Sequence, residues 1–470
     1  MIGAAINIIP FMIQRSVPGI GGWVLPTYAL AAIPAILAGL AYAILSSAMP
    51  RAGGSYVYAS RAVSPYLGFV ASFSQWFGLC TAIGVVSYVL SPFLRDIAVA
   101  LEWGGAAAAL ERRDVRLAIA LSFLWCFVVV NLRGVKSVER TLVPLMILMF
   151  VIGGVVIVAG FSHDHADFAA ALLAREGRVV PPGAGGTFDP RLMLAAAPVL
   201  FSSFIGFDSI AQAGGEAKNP ARSLPLAIGI AVVVVGAYYM LFTAAVYHAV
   251  PWQYVAEQAK LRDLTAPGLL NLLLPPWLTV VIVSGAAVAL INDLPAMILA
   301  VSRLMFAWGE DGIFPSAVTR VHPRWHTPHV AIVASGMMST VAILGSHFAG
   351  DFFLGVDILV TSMLVNFLLM CVSVLLLPSR NPAIARDVTV VPSRGLQVPI
   401  ATLGVALLGG LLVAQTWRDL TAPAVAWYFR STPLWLAVMA VATLIYLRET
   451  AKLRASGVDL AARFATLPSE

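Results

Sequence analysis

The sequence predicts an all-α polytopic membrane protein. Hydrophobic residues make up 60% of the 470 residues and charged residues 11%, against roughly 25% charged in soluble domains. The apolar residues come in blocks of about 17 to 25, each enough to cross about 30 Å of hydrocarbon as a helix. Trp252, Trp277 and Trp435 stand at block ends, as interfacial aromatic belts require. So low a charge density cannot clothe a 49.7 kDa particle in water, which excludes a soluble globular protein. The net charge of +6 does not point to nucleic acid, because the basic residues sit in short loops between apolar blocks rather than along one stripe.

Twelve spans can be marked between charged or Pro/Gly-rich breaks, at 1–14, 23–49, 66–94, 115–131, 138–161, 191–214, 224–250, 276–308, 328–347, 352–377, 397–417 and 433–447. The first opens directly on MIGAAINIIPFMI and is too short to cross. It carries neither the basic leader nor the small-residue cleavage site of a removable signal peptide. Loops counted from a cytoplasmic N-terminus place the Lys/Arg excess inside, chiefly through Arg133, Lys136 and Arg140, through Arg380, Arg386 and Arg394, and through the tail Arg448, Lys452, Arg454 and Arg463. Both termini are therefore expected in the cytoplasm, with the chain in the cell membrane among lipids. The interruption at 162–190, with its Pro/Gly run at Pro181 to Gly186, reads as an exposed outer loop. Its His163, Asp164, His165 and Asp167 have metal-ligand chemistry, yet solvated backbone would not fix their geometry, and no metal is expected. Cys80, Cys126 and Cys371 lie inside apolar runs without metal or disulfide spacing and read as packing residues.

Two spans are broken by small and polar residues. Span 1 has Gly3, Ala4 and Ala5 with Asn7 and Pro10; span 6 has Phe204, Ile205, Gly206, Phe207 and Asp208, then Gly214 and Gly215. Hydrocarbon cannot satisfy backbone groups freed by such breaks, so they survive beside protein or a watery cavity. Single glycines in a membrane helix usually mark close packing. Two breaks five spans apart instead match the inverted repeats of secondary transporters, with spans 1–5 mirrored by 6–10. The expected division is a first repeat at 1–161, a second at 191–377, two extra spans at 397–447 and a cytoplasmic tail at 448–470. Amides at a half-helix start attract a carboxylate, and carbonyls at a half-helix end attract an ammonium or a cation. An amino acid carries both groups.

Four segments resemble the amino acid-polyamine-organocation transporters: MIGAAIN; Ser47 to Tyr58, SAMPRAGGSYVY; Phe204 to Arg222, FIGFDSIAQAGGEAKNPAR; and Ser302 to Pro328, with its SRLMFAWGEDGIFP. They run in order through about two-thirds of the chain. The resemblance implies a leucine-transporter-like fold and a permease that moves amino acids or related amines by alternating access. It also implies that the substrate carboxylate meets the amides of Gly3, Ala4 and Ala5, near Asn7. The amine would meet carbonyls around Phe204, Ile205 and Gly206, with Phe207 and Asp208 lining or closing the pocket. Relatives usually have a glycine where Ala5 stands, which suits a tighter break or a smaller ligand.

Many relatives couple transport through a span 5 lysine, and the corresponding residue here is Met149, which cannot carry a proton. The coupling ion is expected to be Na+ or H+, with no other cofactor. Asn292 and Asp293 fall where sodium-coupled relatives place span 8 hydroxyl ligands, and an intramembrane acid is a functional candidate, so the two are expected to carry the ion coupling, Asp293 foremost. Asp357 and Asp208 follow the same logic with weaker context. Arg303, Glu310 and Asp311 are candidates for a cytoplasmic gate, against the commoner role of charge clusters as topology anchors. Spans 2, 3 and 7 are apolar almost throughout, leaving Trp76, Tyr88, Tyr238 and Tyr239 as candidate pocket walls.

The alternatives are a carrier of the same fold for a polyamine, nucleobase or other organic cation, and a receptor or channel-like protein. No nucleophile elbow, phosphate loop, HExxH or paired-carboxylate motif stands in any span, so an enzyme is not expected. A complete span 1 needs roughly 10 to 15 further apolar residues ahead of Gly3. Met1 is therefore expected to be internal to a longer reading frame.

Overall fold

Backbone groups in hydrocarbon must bond within their own segment, so the apolar blocks become helices. The computed structural model describes residues 4–134, 139–182, 188–216, 219–422 and 426–467. Gly3 and Lys136, named above, lie outside the described residues. The short first span is α1 (Ala4–Ser16), at 13 residues. After it come α2 (Val24–Ala48), α3 (Ser55–Ala62), α4 (Pro65–Tyr88), α5 (Leu90–Ala100), α6 (Gly104–Glu111), α7 (Arg113–Leu132), α8 (Glu139–Phe161) and α9 (His165–Glu176). The second half has α10 (Pro190–Phe201), α11 (Pro220–Ala249), α12 (Trp252–Leu261), α13 (Ala266–Leu270), α14 (Pro276–Glu310), α15 (His329–Ala349), α16 (Phe353–Arg380) and α17 (Pro382–Ala385). It ends in α18 (Arg394–Thr421), α19 (Ser431–Ala455) and α20 (Leu460–Ala465).

Among the described residues there is no strand, and 11 helical stretches are long and apolar enough to cross a membrane. Helix α4 packs on α16, α2 on α11 and α14 on α8. The best-buried stretch, Pro65–Ala100, hides 83% of its apolar window, whereas α7, α8, α18 and α19 hide under 30% of theirs and turn the rest outward. Close approach at the centre depends on small residues: a Cβ added to Gly39 would come within 2.7 Å of Val232, and one added to Gly78 within 2.8 Å of Ser362.

Two readings change. The third span does not stop near residue 94 but continues through a break at Val89 into α5. The 162–190 interruption holds the 12-residue α9, begun by a capping box in which Asp164 accepts from Ala166 and Asp167 amides and Asp167 accepts from the Asp164 amide. His163 and His165 are held on carbonyls of Ala159 and Tyr247. Here fixed geometry exists, and it serves helix capping and docking against α11. Those amide bonds hold the Asp164 carboxyl below its usual range.

Candidate functional site

Pro198 removes a helical N–H from α10, and the helix runs only to Phe201. A tighter 3-10 turn carries Ser202–Phe204, Ile205 is extended, and Gly206 has φ +130°, a conformation that side-chain-bearing residues avoid. A second 3-10 stretch, Phe207–Glu216, resumes the crossing. The break therefore falls within the segment 204–208 that the sequence singled out. Carbonyls at the end of α10 turn to nearer partners, Val199 and Leu200 accepting from Ser202 and Ser202 accepting from the Ile205 amide.

A cavity of about 160 Å³ opens on this break. Ala5 of α1, Ser202, Ile205 and Gly206 line one side, and Asp293 and Met297 of α14 line another. Four sequence candidates thus meet: Ala5, Ile205, Gly206 and Asp293. Ala4 begins α1 beside them in sequence.

The other candidates lie elsewhere. Asn7 faces a second space of about 20 Å³ with Met149 and Tyr238, and Asn292 Nδ2 donates to Met149 Sδ at 3.6 Å. Phe204 packs against Tyr28 at 5.0 Å between ring centres, with Tyr239 behind it. Phe207 stacks on Phe367 at 5.0 Å. Asp208 is fully buried behind the break, where it accepts from Gln75 Nε2 and from the Gly206 amide at 3.0 Å. Gln75 Oε1 in turn accepts from Ser55 and from Gln212 Nε2. Asp208 positions the break and does not line the cavity. Trp76 bonds Ser335 and packs with Phe73, so it too stands away from the cavity. Asp357 is paired with Arg418 of α18.

Two clusters of paired charges lie apart from the cavity. At one end Arg15, in the last turn of α1, reaches Asp263 at 2.9 Å and Asp351 at 3.1 Å. Asp263 also pairs with Arg116 of α7 at 2.6 Å, and Arg116 lies over the Tyr88 ring at 4.1 Å. Burial pushes the Asp263 carboxyl up, but Arg116 and Arg15 together hold it below the usual carboxylate range. At Asp351 burial dominates over Arg15 and pushes the carboxyl up.

At the other end Asp311 accepts from Tyr56 Oη at 2.6 Å and pairs with Arg61 of α3 at 3.0 Å. The tail covers this pair. Phe464 lies 4.7 Å from the Arg61 guanidinium, the Thr466 carbonyl accepts from Arg61, and Arg463 bonds the Glu310 carbonyl. The expected cluster of Arg303, Glu310 and Asp311 is in this way joined to α3 and α20, while Arg303 lies about two turns up α14.

The family model described as amino acid permease matches residues 1–442. The chain belongs to the amino acid permease family. Among curated proteins, the permease is 25% identical over 373 residues to the branched-chain amino acid permease BcaP of Bacillus subtilis, covering 77% of this chain and 74% of that one. It is 26% identical to the low-affinity putrescine importer PlaP of Escherichia coli K12, covering 74% of this chain and 70% of the importer. It is 23% identical to human cationic amino acid transporter 4 over 73% of this chain and 53% of that one. The permease is thus a multi-pass membrane protein and a secondary transporter for amino acids or amines.

Gln75, Arg15, Arg61, Arg116, Asp263 and Asp351 are not among the residues singled out from the sequence. Gln75 carried a signal, an amide inside a span taken as apolar almost throughout. The loop charges were legible only as topology anchors, because pairing between segments far apart in the chain leaves no local pattern.

Proposed function

We propose that the permease binds its solute in the 160 Å³ cavity between α1, α10 and α14 and carries it across the cell membrane by alternating access. The observation that carries this reading is a helix broken at Gly206 over a cavity, in a bundle that also holds one ion-pair cluster at Arg15 and another at Arg61. Carbonyls at the end of α10 offer the solute's ammonium group its acceptors, and the first amides of α1 offer a carboxylate its donors. The Arg15 end faces outward and the Arg61 end faces the cytoplasm with the tail, in keeping with the basic inner loops. Residues 1–161 and 191–377 form the two inverted repeats. In support, the short inter-span helix α3 follows the second span at one end, and α12 and α13 follow the seventh at the other.

On this reading the two charged clusters act as latches on either side of the cavity, and transport requires them to open in turn. The coupling ion is Na+ or H+ and acts along α14 at Asn292 and Asp293: a proton needs the Asp293 carboxyl, and a sodium ion suits the second space, where Asn7 and Met149 meet and Asn292 reaches the methionine sulfur. A methionine there leaves no lysine ammonium to compete with a cation. The test is uptake by purified protein in liposomes against a panel of amino acids and amines, with sodium and proton gradients imposed separately. Saturable uptake accelerated by solute on the far side supports the reading. Flux linear in concentration and indifferent to the far side would favour a channel.

A further inference from the structure

The tail after α19 turns back onto the bundle. Gly457 has φ +81°, a left-handed conformation that side-chain-bearing residues avoid, and the chain reverses there. The Val458 amide donates to the Leu453 carbonyl at 3.2 Å, and Asp459 accepts from the Ala462 amide at 3.3 Å to start α20. Four consecutive residues then hold three segments that are far apart in the chain. Arg463 Nη2 donates to the Glu310 carbonyl of α14 at 2.9 Å, and Phe464 covers the Arg61 guanidinium of α3. The Ala465 carbonyl accepts from Asn381, just past α16, at 3.0 Å, and the Thr466 carbonyl accepts from Arg61 Nε at 3.3 Å.

We propose that residues 463–466 are an autoinhibitory strap: docked, they hold α3, α14 and the end of α16 together and slow the opening of the Arg61–Asp311 cluster, and their release speeds transport. This rests on that cluster acting as one of the two latches, and goes beyond it by assigning the latch a regulator within the chain.

The surroundings of Arg61 carry the argument. Its side chain is 1% exposed, and a charge so buried is costly unless its donors are met. Within the bundle Nη1 has Asp311 at 3.0 Å and Ser60 at 2.7 Å, whereas Nε goes to the tail's Thr466 carbonyl. The tail therefore completes the charged cluster instead of lying over it with apolar side chains alone. Phe464 is itself 5% exposed, so its ring is committed to the contact. Leu453, at the end of α19, fits beside Asp311 as well: a Cβ added to Gly312 would come within 3.0 Å of it. Movement of α3 against α14 has to break the tail's bonds along with the Arg61–Asp311 pair. The grip is nevertheless releasable, because ordering the tail residues offsets most of what one ring contact and a few bonds to charged donors contribute.

The test uses Val86→Cys in the Cys126→Ser background, labelled by an impermeant maleimide from either side of liposomes. Removing residues 458–470 is expected to speed labelling from the tail side by about ten-fold, and Phe464→Ala by about three-fold. Phe464→Ala keeps the tail and decides the matter where the shortened chain does not fold. Labelling from the Arg15 side should stay within about two-fold of wild type; an equal rise from both sides means a general loosening of the fold and overturns the proposal. A second variant fixes the strap in place. Asn381→Cys with Ala465→Cys, oxidised to a disulfide, is expected to lower counterflow of leucine, lysine and 1,4-diaminobutane by about ten-fold or more, and reduction to restore it. Full counterflow through the oxidised chain, or labelling indifferent to both tail variants, overturns the proposal and leaves the cavity reading standing. Failure of that reading looks different: flux of the same three probes that does not saturate in wild type, with the tail untouched, overturns the reading and the strap together.

Discussion

Replacing Asp263 by Asn removes the charge that ties α1 to α7 at the Arg15 end. Asp263 is only 9% exposed and holds two guanidinium groups, Arg15 at 2.9 Å and Arg116 at 2.6 Å. Breaking a buried ion pair costs about 3–5 kcal/mol when the partner is left bare. Neither arginine is left bare here, since Arg15 keeps Asp351 at 3.1 Å and Arg116 keeps the Tyr88 ring and carbonyl. The loss is therefore about 2–3 kcal/mol, which shifts the balance from closed toward open at that end by about 30- to 150-fold. Val86 of α4 lines the cavity and is half-buried, so a cysteine there reports the opening. The background needs only Cys126→Ser, because Cys126 is exposed whereas Cys80 and Cys371 are buried. Membrane-impermeant thiol reagents added from the Arg15 side should label Val86→Cys at least ten-fold faster once Asp263→Asn is added, a floor below the full shift. An unchanged labelling rate would refute the view that this cluster holds the end shut.

The same latch gives a pH dependence. Asp263 is held below its ordinary value of 3.8 when closed, so its contribution to closure is fully present above that value and is lost as pH falls through the lowered one; labelling of Val86→Cys should be flat near neutrality and rise only in that acid range. Gly206→Val should abolish solute binding and counterflow together, because a β-branched residue cannot hold φ +130° at the break, and wild-type affinity would count against the break as the site. Removing residues 458–470 takes Phe464, Arg463 and Thr466 off the Arg61–Asp311 pair; labelling of the cavity from the tail side should rise several-fold, and no change would mean that the tail merely rests there. Met149→Lys puts an ammonium beside Asn7 and Asn292, so uptake should lose its dependence on the coupling cation, and retained dependence would place the ion elsewhere.

The broken span 6 was legible because hydrocarbon punishes unsatisfied backbone, which makes a run such as FIGFD conspicuous. The span boundaries were legible for the same reason, except where α4 passes into α5 without a charge to mark the break at Val89. Asp208 and Asp293 looked alike in sequence, each an acid in mid-membrane. They differ in three dimensions: the first is enclosed by Gln75 and the Gly206 amide, and the second stands among the residues that line the cavity. Nothing local distinguishes them, since Gln75 lies 133 residues from Asp208. Likewise none of the four aromatic candidates lines the 160 Å³ cavity, because which face of a helix meets the cavity depends on packing among α2, α11 and α16. Tyr238 alone of the four lines either of the two spaces, the small one beside Met149.

The central claim, that solute passes through the cavity at the α10 break by alternating access, is tested most directly at Ala296, an exposed residue of α14 that lines it. Ala296→Cys, in the Cys126→Ser background and reconstituted in liposomes, is assayed for counterflow of a bound solute before and after thiol modification, with and without that solute present during the reaction. Saturable counterflow is expected, blocked by modification and protected by solute. Counterflow untouched by complete modification of Ala296→Cys would contradict it.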